Sequence, residues 1–324
     1  MIHSITGINI NEVFTSAWYY LKVAGVEENS RNGPVLVAPG PVVSTYLRPC
    51  ERVLFSPARD ANPVFHLMEA LWMLAGESDV RWLKQFSNNI ASYAEPDGHI
   101  HGAYGARWRN WFVHGEYDQL PVIIEMLRRD RSTRQAVLQM WDPASDLEGD
   151  WRDRPCNTAV YFDGRGGRLN MTVTCRSNDI LWGCYGANVV HFSVLQEFVA
   201  HGAGLPVGVY RQFSNNWHAY TGNPMVQQFL DAPPAQYNQY ADAAAPVVPL
   251  LQPNERYQDF LLDCENLVNS YSVMKTAFMR DVAMPLRDAY LARKAGDEVE
   301  WATLPECDWT LAFTEWCQRR NKRV

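Results

Sequence analysis

Hydrophobic and polar positions follow two different periods along this chain, and the two periods predict a mixture of helices and strands. Phe65, Met68, Leu71, Trp72 and Ala75 recur at helical spacing, so a helix is predicted over residues 62–86. Asn62 would cap it and Pro63 would open its first turn. Residues 121–131 predict a second helix, whose basic end (Arg128, Arg129, Arg131) suits the negative pole of the helix dipole. Residues 135–141 read as a strand. Further along, Leu169, Met171, Val173 and Cys175 alternate with Asn170, Thr172, Thr174 and Arg176, the period of a half-buried strand. Residues 157–162 and 168–176 form a predicted hairpin, joined by Asp163-Gly164-Arg165-Gly166-Gly167, and the alternation sends Arg176 to the polar face. Residues 188–201 predict an apolar helix stopped by Gly202, Gly204 and Pro206, and residues 207–213 a further strand. Residues 258–279 read as helix. Between them, residues 223–255 are rich in Pro, Ala, Gln and Asn and predict a surface excursion.

Short strands with hydrophobic helices between them imply an α+β fold, with helices packed on a mixed, largely antiparallel sheet. No repeat or domain boundary stands out. Residues 1–324 therefore read as one domain, with a surface insertion near 223–255 and a divergent C-terminal region. A chain of 324 residues that is 47% hydrophobic can bury a large core. Its net charge of −7 and lack of a basic tail argue against a nucleic-acid partner. The short basic end, Arg319-Arg320-Asn321-Lys322-Arg323, reads as a solvated terminus. No apolar run reaches the roughly 18 residues that a membrane span needs, and the N-terminus has no signal-peptide pattern. The cysteines number seven, an odd count, and no CxxC pair occurs, so neither a disulfide framework nor a zinc site is signalled. The expected setting is a reducing cytoplasm, that of the host for a viral protein.

Chemistry gathers around the hairpin. Arg154-Pro155-Cys156-Asn157 places a soft nucleophile ahead of one strand, and Arg176-Ser177-Asn178-Asp179 ends the next with an anion-binding cluster. Arg152, Arg154 and Arg176 are positioned to favour the thiolate. The competing reading of Cys156 is a buried structural thiol. Glu69 sits in the apolar run Phe65-His66-Leu67-Met68-Glu69-Ala70-Leu71-Trp72, where an unpaired carboxylate is costly. Burial pushing that carboxyl up would suit a general acid or base, whereas pairing to an arginine would make it structural. Arg176 and Ser177 together suit a phosphate, and Arg134 and Arg31 are candidates for the same anion site. Asn188 is either a helix cap or a reader of a base edge. His218 and Tyr220 either bind a sugar hydroxyl or are structural.

In combination these pieces resemble the thymidylate synthase family, which includes the pyrimidine nucleotide hydroxymethylases. The resemblance runs from about Arg31 to Tyr220. It rests on Glu69-Ala70-Leu71-Trp72 with Gly76, Tyr104-Gly105 with Trp108, Pro155-Cys156, Arg176-Ser177 with Asp179 and Gly183, Asn188, and His218 with Tyr220. It implies that Cys156 adds to C6 of a pyrimidine nucleoside monophosphate, and that C5 then attacks the methylene of 5,10-methylenetetrahydrofolate, a reduced folate cosubstrate. Glu69 is implied as the acid/base and Tyr104 as the hydroxyl that helps the C5 proton leave. Arg31, Arg134, Arg176 and Ser177 are implied to hold phosphate, Asn188 the base, His218 and Tyr220 the sugar, and Asp179 the pterin. Arginines shared between subunits imply a homodimer.

Departures from the family pattern bear on the last step. Asn157 follows the cysteine where thymidylate synthases carry histidine, and Gln135 replaces one of two adjacent arginines. Asn188 aligns only with one residue inserted after Gly183. Ser87-Asn88-Asn89-Ile90 lacks the tryptophan that shields the one-carbon intermediate, and the C-terminal sequence lacks an apolar closing tail. These favour water over hydride as the quench, hence a deoxyuridylate hydroxymethylase. The alternative is a divergent thymidylate synthase, of viral type. A cysteine hydrolase using Cys156 and His218, or a non-catalytic nucleotide binder, explains less of the pattern.

Overall fold

The computed structural model describes residues 1–115, 117–241 and 244–321. Its strands are β1 (His3–Gly7), β2 (Val26–Ser30), β3 (Gly33–Val37), β4 (Val42–Tyr46), β5 (Val137–Gln139), β6 (Asn157–Asp163), β7 (Leu169–Asp179) and β8 (Val207–Tyr220). They pair in the order β1-β4-β8-β7-β6-β5, with β3 joining the far end of β8 and carrying β2. The β1–β4 and β7–β8 pairs are parallel and the others antiparallel, so the sheet is mixed as expected.

Register explains why the sheet has two unlike faces. Leu138, Val160, Val173 and Gln212 lie side by side on one face, and all are fully buried. The neighbouring transverse row, Val137, Tyr161, Thr172 and Arg211, points the other way and is largely exposed. Because side chains alternate strictly along a strand, each row commits the next to the opposite face.

The helices are α1 (Ile10–Ala24), α2 (Pro63–Leu74), α3 (Tyr104–Arg109), α4 (Gln119–Arg129), α5 (Pro143–Asp146), α6 (Asn188–Ala203), α7 (Pro224–Asp231), α8 (Tyr257–Val268), α9 (Met284–Ala295) and α10 (Asp308–Asn321). α6 packs on β7 and β8, α2 packs on α6, and α10 packs on α2. No helix among the described residues is long and apolar enough to cross a membrane.

Asn62 caps α2 by accepting from the Phe65 N–H, with Pro63 next, as the sequence predicts. The helix stops at Leu74 rather than running to residue 86, because Gly76 takes a left-handed φ of 79°. α6 passes through Gly202 and ends before Gly204. β8 extends to Tyr220, seven residues past the expected Phe213, and so places His218 and Tyr220 on a strand. The helix expected over residues 258–279 ends at Val268, followed by a turn with Ser270 at φ 64°. Residues 223–255 hold α7, whose buried Val226 and Phe229 face α1, and the buried pair Leu250 and Leu251. The Leu250 N–H donates to Glu197 of α6 at 2.9 Å.

One close approach couples two elements that carry site residues. A Cβ on Gly105 in α3 would stand 2.2 Å from the Met73 carbonyl oxygen of α2. Glu69 lies on α2 and Tyr104 precedes the glycine. Backbone cannot retreat as a side-chain tip can, so Gly105→Ala is expected to cost about 1–3 kcal/mol in urea unfolding. It should also lower activity beyond the folding loss, because α3 must move off α2. Unchanged stability would contradict this packing.

Candidate active site

Cys156 and Arg176 are held together by the hairpin itself. The Arg176 backbone N–H donates to the Cys156 carbonyl at 2.8 Å, and its Nε donates to the Pro155 carbonyl at 3.0 Å. Nη2 lies 3.9 Å from Cys156 Sγ, and the guanidinium sits 5.5 Å above the Trp141 ring. On the other side, the Tyr104 hydroxyl accepts from the backbone N–H of Cys156 and of Asn157, each at 3.2 Å, and from Asn157 Nδ2 at 2.9 Å. Asn157 Oδ1 accepts from Gln212 Nε2 at 2.9 Å, and Gln212 Oε1 accepts from the Tyr210 hydroxyl at 2.6 Å. Asn157, Gln212 and Tyr210 are fully buried, so this chain of bonds is sealed from water.

The thiol faces a cavity of about 860 Å³ whose walls include Arg31, Arg176, Ser177, Asp179 and Tyr220. Arg31 arrives from the exposed tip between β2 and β3. A second cavity of about 720 Å³ holds Glu69, together with Arg59, His66, Asn89 and Arg320. Tyr93 and Trp182 line both cavities and form their common wall. Arg59 supports that wall: its guanidinium lies 4.3 Å from the Trp182 ring centroid and its Nε donates to the Leu181 carbonyl.

Glu69 is 8% exposed and pairs with His191, whose Nε2 lies 2.9 Å from Oε2. Its partner is therefore a histidine of α6 and not the arginine that the structural reading anticipated. Asn188 does not cap its helix. The preceding stretch, Ile180–Ala187, is π-helical, with the Asn188 N–H bonded to the Gly183 carbonyl five residues back. This wider turn absorbs the extra residue that the resemblance required. Asn188 Nδ2 donates to Asn178 Oδ1 at 3.1 Å, and Asn178 Nδ2 donates to Ser214 Oγ at 2.9 Å. Asp179 caps the π turn by accepting from the Leu181 and Trp182 N–H groups. It pairs in register with His218 of β8. Burial pushes the Asp179 carboxyl up and the His218 imidazole down, each partly opposed by the other's charge. His218 Nδ1 lies 2.7 Å from Asn216 Oδ1, and its ring meets Tyr220 edge-on at 5.1 Å.

Several expectations change, and Tyr104, Asn188 and His218 line neither cavity. Arg134 is exposed and lines neither cavity, so one chain alone does not bring it to the thiol. Of the three arginines expected to favour the thiolate, only Arg176 acts on Cys156. Arg152 turns to the Ala94 carbonyl and Arg154 to the Gly149 carbonyl. Burial raises the Cys156 thiol above its ordinary range, Arg176 opposes that, and Asp153 and Asp179 add to it. Asp153 is itself pushed up to about 6 by burial. The basic end is no free terminus either, since Arg319 and Arg320 both reach Asp60 at 3.2 Å. Lys322 and Arg323 lie outside the described residues.

Sequence reasoning passed over Tyr93, Trp182, Arg59, His191 and Gln212. Only Trp182 carried a local signal, as an exposed aromatic between Asp179 and Asn188. The others act through contacts distant in sequence.

The raised thiol gives a direct expectation. Alkylation of Cys156 by iodoacetamide in the substrate-free enzyme should gain rate only above the ordinary thiol range. Arg176→Ala removes the one opposing charge, so its alkylation limb should move to still higher pH. A limb below the ordinary range, or no movement in the variant, would contradict the balance described.

Residues 59–263 match the family model described as thymidylate synthase. The chain is 42% identical to a deoxyuridylate hydroxymethyltransferase of Pseudomonas phage M6, over 97% of this chain and 93% of that protein. It is 32% identical to a deoxyuridylate hydroxymethyltransferase of Bacillus phage SP01, over 78% of this chain and 69% of that protein. A thymidylate synthase of Haloferax volcanii is 28% identical over about half of each chain, 50% and 52%. With the α+β fold and the paired cavities, these matches establish that the chain belongs to the thymidylate synthase family.

Proposed function

We propose that this protein is a deoxyuridylate hydroxymethylase, forming 5-hydroxymethyl-dUMP and tetrahydrofolate from dUMP, water and 5,10-methylenetetrahydrofolate. The observation that carries the reading is the cavity where Cys156 meets Arg31, Arg176, Ser177, Asp179 and Tyr220, joined through Tyr93 and Trp182 to a second that holds Glu69. Together the two give room for a nucleotide monophosphate beside a folate. The names of the two phage relatives support water as the final nucleophile. So does the wall near Glu69, where Ser87, Asn89 and Ser92 offer polar groups.

In this reading Arg31, Arg176 and Ser177 anchor the phosphate, and His218 and Tyr220 hold the sugar. Cys156 adds to C6 and makes C5 the nucleophile toward the folate methylene. The folate opens, C5 loses its proton with help from Tyr104, and the folate amine departs. Water then adds to the exocyclic carbon, and Cys156 leaves as the C5–C6 double bond re-forms. One proton from C5 and one from water balance the two taken up by the folate nitrogens. Asp179 holds the pterin. Asn188 keeps an acceptor oxygen and one N–H after bonding Asn178, which complements the N3–H and O4 of uracil. Cytosine presents the reverse pattern.

The active form is proposed to be a homodimer of single-domain chains in the cytoplasm. The uncovered sheet row Val137, Tyr161, Thr172 and Arg211 supplies a face for a second copy, and Arg134 is free to reach the partner's phosphate site.

Two measurements test this. Incubation with dUMP and methylenetetrahydrofolate should give 5-hydroxymethyl-dUMP by mass spectrometry without dihydrofolate absorbance; dTMP with dihydrofolate would sink the reading. Arg134→Ala and Cys156→Ser should each be inactive alone. Refolded together they should recover on the order of a quarter of wild-type activity, because mixed dimers rebuild one intact site. Absence of recovery would remove Arg134 from the partner's site.

A further inference from the structure

Glu69 and His191 form a buried pair that the steps above leave unused. His191 is 2% exposed and its Nε2 is the one protein donor within reach of Glu69 among the described residues. Its Nδ1 is buried and has no hydrogen-bond partner. An imidazole beside a carboxylate is best placed with its proton on Nε2, donating to Oε2. That bond satisfies one carboxylate oxygen and leaves Oε1 for the cavity.

The surroundings leave this donor to His191. Glu69 is the sole acidic residue of α2, and His66 is the other polar side chain buried on it. His66, on the same helix, is held down to about 3 by burial, with Arg59 and His191 opposing its charge, so it stays neutral. Arg59, from the segment before α2, is committed to Leu181 and Trp182. Tyr93, across the cavity, is a phenol raised by burial and by Asp153, Asp179 and Glu69. Asp60 and Arg320 line the same cavity and pair with one another.

We propose that His191 is a positioning residue that turns Glu69 so that Oε1 is the general base for the attacking water. The proposal rests on the hydroxymethylase reading. As the water oxygen bonds to the exocyclic carbon, one water proton moves to Glu69 Oε1. The electron pair displaced onto the ring re-forms the C5–C6 double bond and expels Cys156 as thiolate. The proton on Glu69 then passes through solvent, where it offsets one of the two taken up by the folate nitrogens, and Cys156 regains the proton it gave up on adding to C6. The base must present one free oxygen to the water, and the bond to Oε2 fixes which oxygen that is.

The test compares His191→Gln with His191→Met, two side chains of similar length and volume. Gln keeps an N–H for Oε2; Met has none. H191M should lose on the order of 10²-fold in kcat for 5-hydroxymethyl-dUMP. H191Q should retain most of the rate, and both variants should bind dUMP like the wild type. Since the two are shape-matched, a folding defect common to both drops out of the comparison. Equal rates in H191Q and H191M would overturn the inference while the wild-type product still reads 5-hydroxymethyl-dUMP. A wild-type product of dTMP would instead overturn the function on which it rests.

Discussion

Everything in the site hangs from one phenol. Strand β6 shifts register between Asn157 and Ala159, so the amides at the start of the strand leave the ladder while still buried. Buried N–H groups need acceptors. The Tyr104 hydroxyl takes both, and the Asn157 side chain as well. The Cys156 backbone is thereby fixed at its N–H by α3 and at its carbonyl by the Arg176 amide of β7. A nucleophile on a free loop would have to be ordered by the substrate; here that ordering is built into the fold.

The thiol itself is not activated in advance. Burial and two carboxylates outweigh one guanidinium and hold the Cys156 thiol above its ordinary range. A dianionic phosphate near Arg176 would weaken that guanidinium's pull on the thiolate further. In the proposed reaction activation comes from the reacting ring, as developing charge on the pyrimidine oxygen meets fixed donors. This separates the site from cysteine hydrolases, where a standing thiolate is paired with a histidine. His218, the residue such a mechanism would need, is bonded to Asn216 and set opposite Asp179.

Local chemistry was legible in the sequence and long-range chemistry was not. Asn62-Pro63, the glycine-rich turn and the alternation of β7 each announce themselves within a few residues, because caps, turns and pleats are short-range physics. The cysteine, the arginine cluster and Glu69 were visible as anomalies against an apolar background. What they pair with was invisible: His191 lies 122 positions from Glu69 and Gln212 lies 55 from Asn157. The early stop of α2 needed only the left-handed Gly76, yet the apolar residues beyond it, Val80, Trp82, Leu83 and Phe86, mimic a continuing helix because they also enter the core. Arg134 shows a different limit, since the fold of one chain leaves it exposed and away from both cavities.

The π turn at Ile180–Ala187 has a wider meaning. It lets one residue be added between Asp179 and Asn188 without displacing either the end of β7 or the start of α6. An insertion in a regular helix would rotate every later side chain by about 100°. Here the surplus is confined to a single broad loop of backbone. Chain length and the shape of the site are decoupled at this point, so a residue can be added or removed beside Asn188 with the flanking strand and helix left in place.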